Sequence, residues 1–243
     1  MNLFVGIVAP ICLISTSINL EAATRPAKHR TLKHSAKACR TSLDQCPDQG
    51  CGGGDAKLNV KKNRTDAPAG AIESWTFEEI MHVEDERPTS WQTGQDRTVV
   101  EELGEDTPIA LVGYMIGAHP GSPETCNCKL SGEDNNDYHI NLVEHKGDRS
   151  SSSVVVEMTP RVRLKHANWK LDKLTGRLDN SNPPVVRVTG YLLFDSEHVS
   201  RSGGERETIW EVHPVIKLEF CTSGDDPATC ESSGTWQSLD DVE

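Results

Sequence analysis

Between Asp106 and Cys221 the sequence sets out five strand-like runs, with one helical segment between the third and the fourth. Three strands, a helix and two strands is the linear plan of an OB-like five-stranded barrel, a mainly β fold whose closure removes the exposed sheet edges. Ile109 to Ile116 is a nearly continuous apolar run and predicts a long first strand, with Gly113 allowing a bend. Asp137 to Glu144 alternates between polar and apolar residues, as a half-buried second strand should. Ser153 to Met158 predicts the third strand. Pro160 opens a helix expected to run to about Leu174, with Gly176 and Asn180 as its stop. Val185 to Phe194 and Thr208 to Leu218 complete the set; Pro214 in the last implies an edge or a bulge.

The residues before the barrel are of other kinds. Residues 1–22 read as a signal peptide, with an apolar stretch followed by Glu21-Ala-Ala-Thr24 at the cleavage point. The predicted location is therefore outside the cytoplasm, secreted or periplasmic. The alternative is an N-terminal membrane anchor, since Leu3 to Leu20 approaches the roughly 20 residues a spanning helix needs. Cleavage would leave no integral membrane segment. Residues 23–38 form a basic leader without apolar periodicity, expected to be disordered. Residues 39–105 are rich in Cys, Gly, Asp and Asn, and are expected to be an irregular extension held by disulfides. One short helix is predicted there, Ser74 to Val83, capped by Thr76 with Glu79 three residues on. Residues 222–243 read as an acidic tail.

In an exported chain the seven cysteines after residue 22 are disulfide candidates: Cys39, Cys46, Cys51, Cys126, Cys128, Cys221 and Cys230. Cys221 and Cys230 flank a short loop and should pair. At least one of Cys126 and Cys128 should reach the Cys39–Cys51 segment, and the two should not pair with each other. The odd count leaves one thiol over. A metal reading of these cysteines is weak, because no CxxC spacing occurs.

The net charge of −12 is unevenly spread. Residues 23–64 carry ten Lys/Arg against three Asp/Glu, +7, and residues 65–243 carry fifteen against thirty-three, −18. An acidic barrel disfavours nucleic acid as partner, since phosphate binding needs concentrated cations. The ligand itself is unknown from sequence.

Strand periodicity places certain polar side chains together. His139 and Asn141 share a face of the second strand, Glu157 stands opposite Val156 and Met158 on the third, and Glu211 and His213 share a face of the fifth. If the strands pair in OB order, His139, Asn141, Glu157, Glu211 and His213 form a candidate polar cluster. Such a cluster is expected to be structural or ligand-binding, fixed by carboxylate–imidazole hydrogen bonds. The alternative set His139, Glu157, Glu211 and His213 could hold zinc or act in acid–base catalysis. No cofactor is otherwise implied. Asp195-Ser-Glu-His198 is expected to be an exposed polar turn, Gly52-Gly-Gly54 lacks the context of a phosphate loop, and Asn63-Arg-Thr65 fits a glycosylation sequon. No Gly-x-Ser-x-Gly or His-Glu-x-x-His motif is present.

Four phrases, Cys51-Gly-Gly-Gly-Asp, Lys62-Asn-Arg-Thr-Asp, Cys126-Asn-Cys-x-Leu-Ser-Gly-Glu-Asp-Asn-x-Asp-Tyr-His139 and Trp210-Glu-Val-His-Pro214, carry a resemblance. From about Cys51 to Cys221 the chain resembles a family of exported, mostly bacterial OB-like proteins to which no activity is attached. The resemblance implies an OB-like barrel with these phrases in its framework and assigns no catalytic residue. The expectation is an exported OB-like binding or interaction module, not an enzyme; the alternative is a metal-dependent hydrolase with a His/Glu site on the barrel face.

Overall fold

The computed structural model describes residues 37–199 and 206–242. The expected signal peptide and nearly all of the basic leader lie outside them. In chain order the helices and strands are α1 (Ala56–Lys62), β1 (Glu73–Trp75), α2 (Phe77–Glu86), α3 (Thr98–Glu101), β2 (Pro108–Pro120), β3 (Tyr138–Val143) and β4 (Val154–Met158). Then come α4 (Pro160–Arg163), α5 (Leu171–Thr175), β5 (Val185–Phe194), β6 (Trp210–Cys221), α6 (Pro227–Ser233) and β7 (Trp236–Ser238).

Strand pairing closes a five-stranded barrel in the order β2-β3-β4-β6-β5 and back to β2. Four of its contacts are antiparallel and one, β4 with β6, is parallel. This is the OB arrangement. The 13-residue β2 serves two sides of the ring, pairing with β5 through Pro108–Tyr114 and with β3 from Tyr114 onward. The inward positions follow the strand period: Ile109, Leu111, Met115, Ile140, Leu142, Val156, Met158, Val186, Val188, Leu192 and Val212 are all buried in one core. At one end Phe194 packs edge-on to Trp210, 5.2 Å between ring centres, and Trp91 covers Phe194 at 5.3 Å.

Several expectations are corrected. The helix between the third and fourth strands is broken into α4 and α5. Between them Trp169 is buried and stacked on His166, while Asn168 Nδ2 donates to the Asp240 carbonyl, so side-chain anchoring takes precedence over a continuous helix. Pro214 lies in the interior strand β6, where the pairing with β5 shifts register on both sides of Gly190; the bulge is present and the edge is not. The 39–68 segment is not wholly irregular, since Asp55 caps α1 and Leu58 of that helix is buried. The acidic tail is structured too: β7 adds to β6 at Cys221↔Trp236, and Leu239 enters the core. Gly113 serves close approach rather than bending, because a β-carbon there would meet Phe77 and the Val143 carbonyl at 2.9 Å. The helix expected at Ser74–Val83 forms later in the chain, as α2 at Phe77–Glu86 with a full Thr76–Glu79 capping box, while Ser74 and Trp75 belong to β1.

Three disulfides join Cys39–Cys51, Cys46–Cys128 and Cys221–Cys230, and Cys126 is the free thiol among the described cysteines. No described helix is long and apolar enough to cross a membrane.

Candidate functional site

The outer face of the barrel wall, opposite the core-facing side chains of β3, β4 and β6, gathers a buried set of charges from six segments. β3 brings His139 opposite Glu157 of β4, and β4 brings Val155 opposite Glu211 of β6, so the ladder itself stacks His139, Glu157 and Glu211 side by side. The alternation of β6 puts His213 on the same face as Glu211. His139 Nε2 lies 3.3 Å from Glu157 Oε1, and His213 Nδ1 lies 3.2 Å from Glu157 Oε2 and 3.0 Å from Glu211 Oε1. The four residues expected to converge from sequence do converge. Asn141, the fifth, donates its Nδ2 to Ser153 Oγ at 2.9 Å.

The sequence did not reveal what surrounds them. Lys62, the last residue of α1, is 2% exposed and places Nζ 3.0 Å from Glu124 Oε2, 3.8 Å from Asp195 Oδ1 and 3.9 Å from Glu211 Oε1. Arg206 Nη1 bonds Glu211 Oε2 at 3.0 Å and approaches Asp195 Oδ2 at 3.7 Å. Asp195 is fully buried and bonded to His198, so Asp195-Ser-Glu-His198 is not the exposed turn expected. Asp137 is buried beneath the loop, its Oδ1 accepting from Asn127 Nδ2 at 3.0 Å. Asn63 is also buried, its Nδ2 donating to the Asp48 and Cys126 carbonyls, which leaves the sequon without a free amide in the fold.

Signals for some of these were in the sequence. Asp137 shares the face of His139 by the period of two, and Leu58 and Lys62 are one helical turn apart behind the Asp55 cap. Glu124 sits in a loop without periodicity and had no signal.

Five carboxylates (Glu124, Asp137, Glu157, Asp195, Glu211) thus face two permanent cations (Lys62, Arg206) and three imidazoles (His139, His198, His213). Burial pushes Asp137 up, and neighbouring Glu124 adds to it, reaching about 6. Burial opposes the charge on His213, yet Glu157 and Glu211 carry its imidazole up to about 10. Burial likewise opposes the charge on Glu157, but His139 and His213 hold it well below the usual carboxylate range. Burial and Glu157 raise Glu211. The buried Lys62 stays charged, held up by Asp195 and Glu124. Burial, reinforced by Glu124, pushes the Cys126 thiol well up, as expected of an unreactive thiol.

Three buried atoms of this set make no hydrogen bond among the described residues, Asp137 Oδ2, His139 Nε2 and His213 Nε2, whereas Glu157 Oε2 has its ion pair with His213. Buried polar atoms without partners are uncommon in folded proteins. Access is from the rim, where the side chains of Glu124, His139, His198 and Arg206 are 15–17% exposed. Two triads of ligand-type atoms share Glu157, one with Glu124 and His139, the other with Asp137 and His213.

No family model and no curated protein matches the chain. Among solved structures, the crystal structure of yeast Stn1 and Ten1 is similar at 15% identity with a TM-score of 0.33, covering 64% of this chain and 65% of that one. The OB-like assignment stands on the strand order of the chain itself.

Proposed function

We propose that the chain is an exported, non-enzymatic OB-like binding module that receives a small cationic ligand at the acidic cluster on the outer face of its barrel. The observation that carries this reading is the seating of Lys62 among Glu124, Asp195 and Glu211. A pocket that draws an ammonium group from the chain's own helix is built to hold positive charge. Five carboxylates still outnumber Lys62, Arg206 and the His213 imidazolium. Export is supported by the three disulfides, which persist in oxidising compartments. Nucleic acid is disfavoured because β3 and β4 carry no Lys or Arg, and the body of the protein is strongly acidic.

The test is thermal unfolding of the secreted chain with Mg²⁺, Ca²⁺, Mn²⁺, Zn²⁺ and spermidine, beside titration with single-stranded DNA at low salt. A cation-specific rise in Tm without DNA binding is expected. Salt-sensitive DNA binding with no cation effect would overturn the reading.

A second reading, a metal-dependent hydrolase using His139, Glu157, Glu211 and His213, is favoured by one observation. The partly accessible His139 imidazole stands 3.3 Å from the buried Glu157 carboxylate, an arrangement suited to a general base. Turnover of nitrophenyl phosphate or ester substrates, lost in His139→Ala, would replace the binding reading with this one.

A further inference from the structure

We infer that the cation is a divalent first-row metal ion, with zinc the best chemical fit, held by Glu124 Oε1, His139 Nε2 and Glu157 Oε1. The inference rests on the cation-receptor reading and narrows it to one ion class and three ligands.

The geometry begins with the carboxylates. Each has one oxygen committed to a fixed cationic partner: Glu124 Oε2 faces Lys62 Nζ at 3.0 Å, and Glu157 Oε2 faces His213 Nδ1 at 3.2 Å. The other oxygen of each is turned toward the same imidazole nitrogen. His139 Nε2 is 3.3 Å from Glu157 Oε1 and 3.9 Å from Glu124 Oε1. Ligands about 2.0–2.1 Å from a tetrahedral zinc stand roughly 3.3–3.4 Å apart, so the His139–Glu157 edge already has the right length, the His139–Glu124 edge needs about half an ångström of closure, and the three ligand atoms all lie within 4.8 Å of one another. Although buried, His139 Nε2 makes no hydrogen bond to either oxygen among the described residues. A lone pair directed at an ion would satisfy it.

Outer partners of the kind that orient metal ligands are present on both carboxylates. His213 is itself braced by Glu211 at 3.0 Å, so Glu157 is held by a chain of two buried groups. Arg206 Nη2 is 3.8 Å from Glu157 Oε1, beyond hydrogen-bond reach, and leaves that oxygen available. A β-carbon at Gly121 would lie 2.6 Å from His139 Nε2, so only glycine at this position keeps the approach to that nitrogen clear.

The donor set selects the ion. One imidazole nitrogen with two carboxylate oxygens is a donor set that suits zinc and its neighbours. Calcium takes about six to eight oxygens, more than are gathered here. Copper(I) and iron–sulfur centres need thiolates; the nearby Cys126 Sγ faces Glu124 Oε2, the oxygen directed at Lys62.

The experiment uses the full secreted chain, stripped with chelator and dialysed. Zinc is titrated by calorimetry, cobalt(II) binding is followed by absorption, and folding is checked by circular dichroism. One zinc per chain is expected, with a cobalt(II) spectrum of oxygen and nitrogen ligation. Glu124→Gln and His139→Gln should each weaken zinc binding at least tenfold. Gly121→Ala, which removes no ligand, should do the same by blocking Nε2. Absence of stoichiometric zinc would overturn the inference, as would unchanged binding in all three variants or a thiolate charge-transfer band with cobalt. Should a ligand variant fail to fold, Gly121→Ala and the cobalt spectrum of the unaltered chain still decide. If zinc fails while calcium or spermidine raises Tm, the metal site falls and the cation-receptor reading stands. If no cation acts, both fall.

Discussion

Lys62 Nζ lies 3.0 Å from Glu124 Oε2, and through this pair the last residue of α1 covers the acidic cluster on the outer face of the barrel. Removing one member of a buried ion pair leaves the other charge uncompensated, at a cost of about 3–5 kcal/mol. Lys62→Met should therefore lower unfolding stability by that order in urea titration. Adding Glu124→Gln should restore part of it, with the double variant about 1–3 kcal/mol better than the sum of the single losses. Strict additivity would show that the two side chains do not interact.

Asp195 and His198 give the pH dependence its sign. Burial opposes the charge on His198, but the hydrogen bond to Asp195, with Glu211 beyond it, raises its folded-state value above 6.5; Arg206 acts in the opposite direction. A raised imidazole contributes stability in full below its unfolded value near 6.5 and loses it as pH climbs through the folded one. His198→Ala should thus destabilise the chain most below pH 6.5. The gap to the unaltered protein should narrow steadily on the alkaline side, and a gap that widens with pH would contradict the assignment.

The disulfides differ in what they constrain. Cys46–Cys128 closes a separation of 82 residues and Cys221–Cys230 one of 9. Loop-closure entropy assigns these about 4.5 and about 2.7 kcal/mol. Replacing both cysteines of the first pair with Ala should lower Tm more than the same change in the second. Thiol titration of a chain beginning at residue 23 should find one group in denaturant, Cys126, and none in native buffer, because that thiol is 1% exposed. More than one thiol in denaturant would break the pairing scheme.

The barrel was legible because its strands keep a period of two and are bounded by turn residues, a signal that survives in a single sequence. The convergence of His139, Glu157, Glu211 and His213 was legible for the same reason, since OB pairing fixes which faces meet. Residues contributed by non-periodic segments were not. Glu124 is positioned by a loop whose conformation depends on Cys46–Cys128 and on Asn59 accepting from Thr125 Oγ1 at 3.1 Å. Lys62 reads as one more cation of the basic 23–64 stretch, because sequence charge does not reveal burial. Asp195 has the sequence context of a turn, and only the packing of Lys62, His198 and Arg206 around it explains a carboxylate with no exposure.

Gly190 and Pro214 make the bulge that positions His213, and this sets the last prediction. Across the β5–β6 ladder Gly190 pairs with Val215, and the register shifts on either side of it. A β-carbon at Gly190 would lie 2.4 Å from the Pro214 carbonyl oxygen and 2.7 Å from Val212 Cγ1. Neither neighbour can retreat, since Val212 is fully buried in the core and the Pro214 carbonyl belongs to the strand backbone. Overpacking of this kind costs about 1–3 kcal/mol, and a backbone clash places the substitution at the upper end. Gly190→Ala should therefore lower stability by about 3 kcal/mol in urea titration. Because the displaced strand carries Glu211 and His213, any cation-induced rise in Tm should shrink as well. Full stability in Gly190→Ala would mean that β5 and β6 do not approach as closely as this bulge requires.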